Sequence, residues 1–350
     1  MDAGHDWPVI GHGHAVHRLR QGLQHGRLHH AWLITGAEGL GRATLALSFA
    51  MALNCHAEAP ESRSCQVCSA CRRIRNGNHP DLLQVQPEDG AALRIDAIRD
   101  ALRNLALKPW EGRRRVAIFR DFERAQPRAQ DALLKTLEEP APGAVLILVA
   151  TSVRALLPTI SSRCQQLALR PLPFDDLYGA LLQRGAPEER ATLLARLSGG
   201  RVGWALRALE DAAMLEQRAE ALDTLEACLD GDRAGRFALA EKLARRSRPE
   251  LRLTLEQWQS LWRDLLLLAR GSQVPPVNSD RGEALSRRAR DLQADEVRVA
   301  LVATRRLLAN LRSNMQLRLA LEVMLLDYPG LQNDQGSGVV AARSRFNSET

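Results

Sequence analysis

The feature that most constrains the fold of this chain is the turn Gly36-Ala37-Glu38-Gly39-Leu40-Gly41-Arg42-Ala43, set between the apolar run Ala31-Trp32-Leu33-Ile34 and a helical stretch from Ala43 to Leu53. Strand, glycine-rich turn and helix in this order make the frame of a phosphate-binding loop, whose backbone N–H groups cradle phosphates at a helix N-terminus. In the working form a Lys reaches the β- and γ-phosphates and the next residue, Ser or Thr, holds Mg²⁺ through its hydroxyl. Here Arg42 and Ala43 stand in those two places. A planar guanidinium does not replace a compact ammonium inside a tight loop, and Ala43 has no atom with which to bind a metal. Gly36, Gly39, Gly41 and Arg42 are therefore the candidate phosphate-binding residues of a loop expected to hold ATP weakly or not at all.

A length of 350 residues with 45% hydrophobic content predicts two or three domains with real cores. No charged and apolar leader opens the sequence and no apolar run is long enough for a bilayer, so the expectation is a cytoplasmic protein with no membrane partner. The net charge of +7 comes from Arg, with Lys only at Lys108, Lys135 and Lys242. That bias weakens any inference from Arg42 alone and leaves Ala43 as the decisive change. A basic balance permits contact with nucleic-acid phosphates, but the charges are spread among acids, without a long basic stripe interleaved with aromatics.

Cysteine carries the second signal. Cys55, Cys65, Cys68 and Cys71 form a C-x9-C-x2-C-x2-C cluster directly after the loop's helix. Short paired spacings let thiolates converge on one tetrahedral Zn²⁺, whereas disulfides are unexpected in a reducing compartment. Four cysteines leave no open coordination position, so the predicted metal is structural. His56 and His79 lie near in sequence and are expected at the solvent surface; Cys164 and Cys228 stand alone, as small buried residues.

Alternation continues with a strand at Leu82–Val85, a helix over Ile95–Leu107, a strand at Val116–Phe119, a helix over Ala129–Leu137 and a strand at Val145–Ala150. Such alternation predicts a parallel sheet covered by helices. After Arg170-Pro171-Leu172-Pro173, three short helical patterns run from Phe174 to about Leu209, too small for a core of their own. Beyond residue 210 the chain reads as amphipathic helices, interrupted at Ser272–Gly282. The expected division is an α/β domain at 1–169, a helical lid at 170–209, an all-α region at 210–330 and a disordered polar tail at 331–350.

The strand entry His29-His30-Ala31, the loop frame, the four-Cys insert, the stretch Ala132-Leu133-Leu134-Lys135-Thr136-Leu137-Glu138-Glu139-Pro140 and the step Ser162-Arg163-Cys164 together resemble the bacterial clamp-loader branch of the AAA+ family. The resemblance covers roughly residues 7–210, and nearly all the chain if the third region is taken as an oligomerisation collar. It implies an AAA+ P-loop-type sheet domain with a zinc-binding insert and a small helical lid. It also implies a hetero-oligomer with clamp-loader motor (gamma/tau) and delta subunits, reaching the sliding clamp and primed DNA through the complex in DNA replication.

Within that branch the departures resemble delta-prime rather than the ATP-driven gamma/tau motors. Where motors carry an Asp-Glu pair after the strand Val116–Phe119, this chain has Arg120-Asp121; a shift of one residue places Phe122 at the Glu position. The motors' sensor Arg corresponds to Gly203, with Arg201 two residues away. Phosphoryl transfer depends on positioned charge around the phosphates, so these losses imply no hydrolysis by this chain alone, as a non-catalytic subunit of the DNA polymerase holoenzyme. Arg163 remains, and the resemblance implies an arginine finger offered in trans to a neighbour's ATP. Two alternatives stay open at this level: an active motor subunit in which Arg42 has taken the Lys role, and a free-standing zinc-containing DNA-binding protein.

Overall fold

The computed structural model describes residues 7–88, 91–311 and 315–330. The chain folds as two compact units, Met1–Glu210 and Asp211–Thr350. The tail expected to be disordered, 331–350, lies outside the described residues.

The first unit opens with α1 (Gly13–Gln24), β1 (Ala31–Thr35), α2 (Arg42–Asn54) and α3 (Ser69–Arg75). It continues through β2 (Leu82–Val85), α4 (Ile95–Leu105), β3 (Arg115–Phe119), α5 (Pro127–Asp131), α6 (Leu134–Glu138), β4 (Ala144–Ala150), α7 (Pro158–Ser161) and β5 (Gln165–Ala168). The strands form one sheet in the order β2-β3-β4-β1-β5, and every neighbouring pair is parallel. All residues of β1, β3 and β4 are buried, as expected of strands covered on both faces. Alternate side chains serve opposite layers. Trp32 and Ile34 join a core with Phe49, Met51 and Leu19, while Ala31 and Leu33 join Ile98, Leu105, Phe119 and Leu133. With the glycine-rich loop following β1, which lies between β4 and β5, the architecture is a P-loop-type parallel α/β sheet.

Two helix boundaries differ from the sequence expectation. The helix expected over Ala129–Leu137 is two short helices, because Leu133 N–H turns back to Gln130 O at 3.0 Å. The buried Gln130 side chain fixes that turn, donating to Ala125 O and accepting from Leu157 N–H, each at 3.0 Å. The helix expected to reach Leu107 ends at Leu105, since Leu107 N–H bonds Asn104 O at 3.1 Å and Pro109 biases the residue before it toward extended backbone.

Three further helices complete the unit: α8 (Phe174–Leu182), α9 (Glu188–Leu197) and α10 (Val202–Glu210). The second unit is all-α: α11 (Ala213–Asp230), α12 (Arg233–Ala244), α13 (Arg248–Ala269), α14 (Gly282–Asp291), α15 (Ala294–Asn310) and α16 (Leu317–Leu326). A capping box between Ser247 and Glu250 starts α13, which buries Leu251, Leu255, Trp258, Leu261, Trp262 and Leu265 along one stripe. Fully buried Arg236 of α12 donates to Leu325 O at 2.8 Å, Tyr328 O at 2.7 Å and Pro329 O at 2.5 Å, closing the C-terminal end of α16.

Candidate nucleotide loop, metal centre and trans arginine

The loop leaves β1 at Thr35 and enters α2 through Gly36, Gly39 and Gly41, at φ of +149°, +82° and +88°. Arg42, the first residue of α2, is only 7% exposed. One guanidinium nitrogen lies 3.9 Å from Asp121 Oδ1, and Nη1 finds no hydrogen-bond acceptor among the described residues. The charge at the position where a working loop carries Lys is thus turned toward the Asp121 carboxylate. Phe122, the next residue, is fully buried and stacks edge-on against Phe119, so it serves the core. Arg120 points away, donating to Gln86 Oε1 at 3.0 Å.

The lid helix α10 closes directly on this loop. Gly203 N–H donates to Gly39 O at 2.7 Å. A Cβ at Gly203 would stand 3.1 Å from that same oxygen, and one at Gly39 would stand 3.3 Å from Arg201 Cβ. Arg201 does not reach into the loop, because its Nε donates to Ser198 O at 2.8 Å. On the opposite side His12, which sequence reasoning passed over, donates from Nε2 to Leu40 O at 2.8 Å. Burial holds its imidazole below the ordinary range, against the Leu40 bond and with help from His14, which keeps it neutral. Nothing in the local sequence marks it, since its partner is 28 residues away. The cradle suits a phosphate through Arg42 Nη1, but no oxygen at residue 43 serves a metal.

At the far end of α2 the four cysteines converge. Their sulfurs all lie within 4.8 Å of one another, and all four thiols are free. Zn²⁺ bound at about 2.3 Å to four sulfurs sets them about 3.8 Å apart; Cys55 Sγ and Cys68 Sγ are 4.0 Å apart. Backbone N–H groups of Ala57, Cys68 and Cys71 point at the sulfurs of Cys55, Cys65 and Cys68 at 3.5, 3.4 and 3.4 Å. Such bonds favour thiolate. Burial pushes the Cys68 thiol up, but the backbone N–H groups of His56 and Cys71 outweigh it and bring it to about 6. Cys71 moves the other way, raised by burial and by the neighbouring sulfurs of Cys55 and Cys68. The donor set fits a closed four-sulfur Zn²⁺ site.

His56 is exposed, as expected, but His79 is buried and is no part of this cluster. Its Nδ1 accepts from Asp81 N–H at 3.1 Å and its Nε2 lies 3.4 Å from Glu111 Oε1. Burial lowers its pKa against the pull of Glu111 and Asp81. Next to it the fully buried Asp81 carboxylate accepts from the N–H groups of Trp110, Glu111 and Gly112 at 2.6, 3.0 and 2.7 Å, and from Arg115 at 3.3 Å. These bonds fix the loop between α4 and β3, which is tied to α3 of the cysteine insert by Arg73 and Glu111 at 2.5 Å.

Arg163 follows α7 and is 39% exposed. Its guanidinium meets Glu138 Oε1 at 2.7 Å and Thr159 O at 2.9 Å, so within the single chain it is held by a surface ion pair. The partner comes from α6, within the Ala132–Pro140 stretch. Cys164 and Cys228 are buried, and burial raises both thiols, Cys164 to about 12.

A parallel sheet with a glycine-rich loop after β1 and helix α10 packed on that loop defines a P-loop-type α/β fold. A family model described as DNA polymerase III, delta subunit, matches residues 11–173. The chain is 36% identical over 204 residues to DNA polymerase III subunit delta' of Pseudomonas aeruginosa, covering 57% of this chain and 61% of that protein. It is 33% identical over 236 residues to subunit tau of Escherichia coli, covering 65% of this chain and 36% of that protein. Over 310 residues it is 26% identical to subunit delta' of Bacillus subtilis, covering 88% of this chain and 93% of that protein. The chain thus spans less than two thirds of the Pseudomonas and Escherichia relatives. Over residues 11–173 and beyond, the chain is thus similar to subunits of the DNA polymerase III clamp loader. Among the described residues no helix is long and apolar enough to cross a membrane.

Proposed function

We propose that this chain is a delta-prime-like subunit of the clamp loader, one that does not hydrolyse ATP and acts as a stator while a sliding clamp is loaded on primed DNA. The observation that carries the reading is the state of the loop. Arg42 is buried against Asp121, and Ala43 supplies no metal ligand. Gly203 at the sensor position bonds Gly39 O instead of presenting a charge to a γ-phosphate. Phosphoryl transfer needs the Mg²⁺, the acidic pair and the sensor charge together, and this chain provides none of them in register.

In the same reading Arg163 leaves Glu138 and meets the γ-phosphate of a neighbouring gamma/tau subunit. Such trans arginines are worth about 10³ to 10⁵ in rate, whereas an exposed ion pair is worth about 0 to 1 kcal/mol, so the exchange costs little. One Zn²⁺ held by Cys55, Cys65, Cys68 and Cys71 stabilises the insert, and the second unit serves as the collar. The competing reading, an active gamma/tau-like motor, is favoured by one observation: a tau subunit stands among the relatives at 33% identity.

The test is hydrolysis measured in two settings. The isolated chain should turn over no ATP, and the complex reconstituted with motor and delta subunits, clamp and primed DNA should slow when it carries Arg163→Ala. Arg163→Lys should rescue poorly, because a point charge does not reproduce the bidentate fork. Turnover by the isolated chain that is abolished by Arg42→Ala would establish the motor reading instead.

A further inference from the structure

From Trp7 to Ala37 the sequence contains no Asp or Glu, yet it carries Arg18, Arg20 and Arg27 and six histidines. The fold gathers part of this stretch around one open cleft of about 580 Å³, lined by Arg18, Gln21, His25, Arg27, His29 and Gln165 among its residues. No carboxylate lines it. On α1 the buried residues Ala15, Leu19 and Leu23 face the core, which leaves His14, Arg18, Gln21 and His25 as the outward ridge at helical spacing. That ridge runs beside β5, an edge strand of the sheet. Arg18 is held there by Gln165 Oε1 at 2.5 Å and Gln166 O at 3.2 Å, and His14 Nε2 bonds Ala168 O at 3.3 Å. On the other flank His29 stacks on His30 at 4.4 Å between ring centres, and its carbonyl accepts from Trp32 Nε1 at 2.8 Å.

The second observation is how these arginines are placed and held. Several exposed arginines elsewhere in the chain pair with carboxylates, among them Arg73 with Glu111, Arg103 with Asp100, Arg245 with Glu241 and Arg252 with Glu256, while others among the described residues stand singly on the surface. Arg18 and Arg27 differ in facing one cleft that no carboxylate lines. Among the described residues neither Arg18 nor Arg27 has an acidic partner, and the groups that position Arg18 are neutral oxygens. Its position is therefore fixed while its charge is left uncompensated. A concave site with cationic donors on two sides and no acid suits a polyanion grasped along its length.

We infer that this cleft, distinct from the phosphate loop and from Arg163, binds the phosphodiester backbone of a nucleic-acid single strand. A single strand, whose backbone bends freely, can follow such a cleft with its phosphates between the α1 ridge and the Arg27–His29 flank. The choice of nucleic acid over another polyanion rests on the clamp-loader reading above. The site itself rests on the charge and geometry of this chain.

The experiment is fluorescence anisotropy of a labelled oligothymidylate with the full chain, free of other subunits and of ATP, titrated over a range of KCl. Each phosphate contact on a single strand contributes about 0.7 to the slope of log K against log salt. Arg18→Ala with Arg27→Ala should therefore lower the slope by about 1.4 and weaken binding about tenfold in 0.1 M salt. Arg245→Ala with Arg252→Ala should change neither. Arg27→Glu, at a residue that positions nothing else, should weaken binding further and guards against a folding defect at Arg18. Absence of binding by the unaltered chain, an unchanged slope in the double variant, or tighter binding of a duplex through the same residues would each overturn the assignment. So would displacement of the strand by inorganic phosphate at an ionic strength where KCl does not displace it. Because no hydrolysis is read, failure here leaves the test of Arg163 untouched, and failure of Arg163 leaves this one standing.

Discussion

Replacing Asp81 should be the most damaging single change outside the hydrophobic layers. Its carboxylate is fully buried and satisfies three consecutive amides, Trp110, Glu111 and Gly112, together with the largely buried Arg115. A hydrogen bond to a charged group is worth about 1.5–3 kcal/mol net, but bonds that share one acceptor do not add. Removing one member of a buried pair costs about 3–5 kcal/mol, and that is the expected loss for Asp81→Ala. For a unit of about 200 residues each kcal/mol moves the melting temperature by about 2–4 °C, so the variant should melt about 6–20 °C lower. Asp81→Asn keeps one acceptor oxygen and turns an NH₂ toward the remaining amides, so it should lose about half as much. The pH dependence has a definite sign. Burial alone would raise this carboxyl, but the three amides and His79 outweigh it and hold its pKa below the ordinary value. The stabilisation is therefore complete above about pH 4 and lost as pH falls through the lower, folded value, and the gap between parent and Asp81→Ala should close in acid. Thermal and urea unfolding at pH 7 and in an acid series, followed by circular dichroism, measure it. A variant within 1 kcal/mol of the parent at pH 7, or a gap that widens in acid, would refute the reasoning.

Elemental analysis of protein purified without chelator should find about one equivalent of zinc, and Cys68→Ser should lose it together with protection of the insert against proteolysis, since metal binding energy is folding energy. Metal-free protein with the four thiols paired as disulfides after anaerobic preparation would defeat that expectation. Arg236→Met, which strips donors from three buried carbonyls, should destabilise the second unit by about 2–4 kcal/mol in urea unfolding, and Arg236→Lys should recover only part of it because one ammonium cannot span three acceptors.

What the sequence discloses is mostly what is local. The run Ala31–Ile34, the glycines after it and the helix that follows are contiguous, so one stretch carries strand, loop and helix together. The cysteines are legible for the same reason, with spacing that leaves their sulfurs little choice but to meet. Helix α1 is not legible, because Gly13, Gly22 and several histidines lower its propensity while Ala15, Leu19 and Leu23 supply tertiary packing that outweighs it. Strand β5 is short and half polar and gains its place by pairing with β1. Asp81 could not have been singled out, since its three amides begin 29 residues downstream. Glu138 stands within a conspicuous stretch, but its ion pair with Arg163 depends on a turn of chain between α6 and β5 that no spacing rule encodes. The split of α5 from α6 likewise answers to Gln130, whose partners lie on either side of it in sequence.

The bond from Gly203 N–H to Gly39 O joins lid and loop through main-chain atoms alone. No side chain owns it, so no ordinary replacement of a charged or polar group can delete it. The heritable ways to break it are to add bulk at either glycine, where a Cβ would already stand 3.1–3.3 Å from its neighbours, or to place proline at position 203. Substitution of any side chain in the loop, Arg42 included, therefore leaves these two segments joined, and they part only where the main chain itself moves.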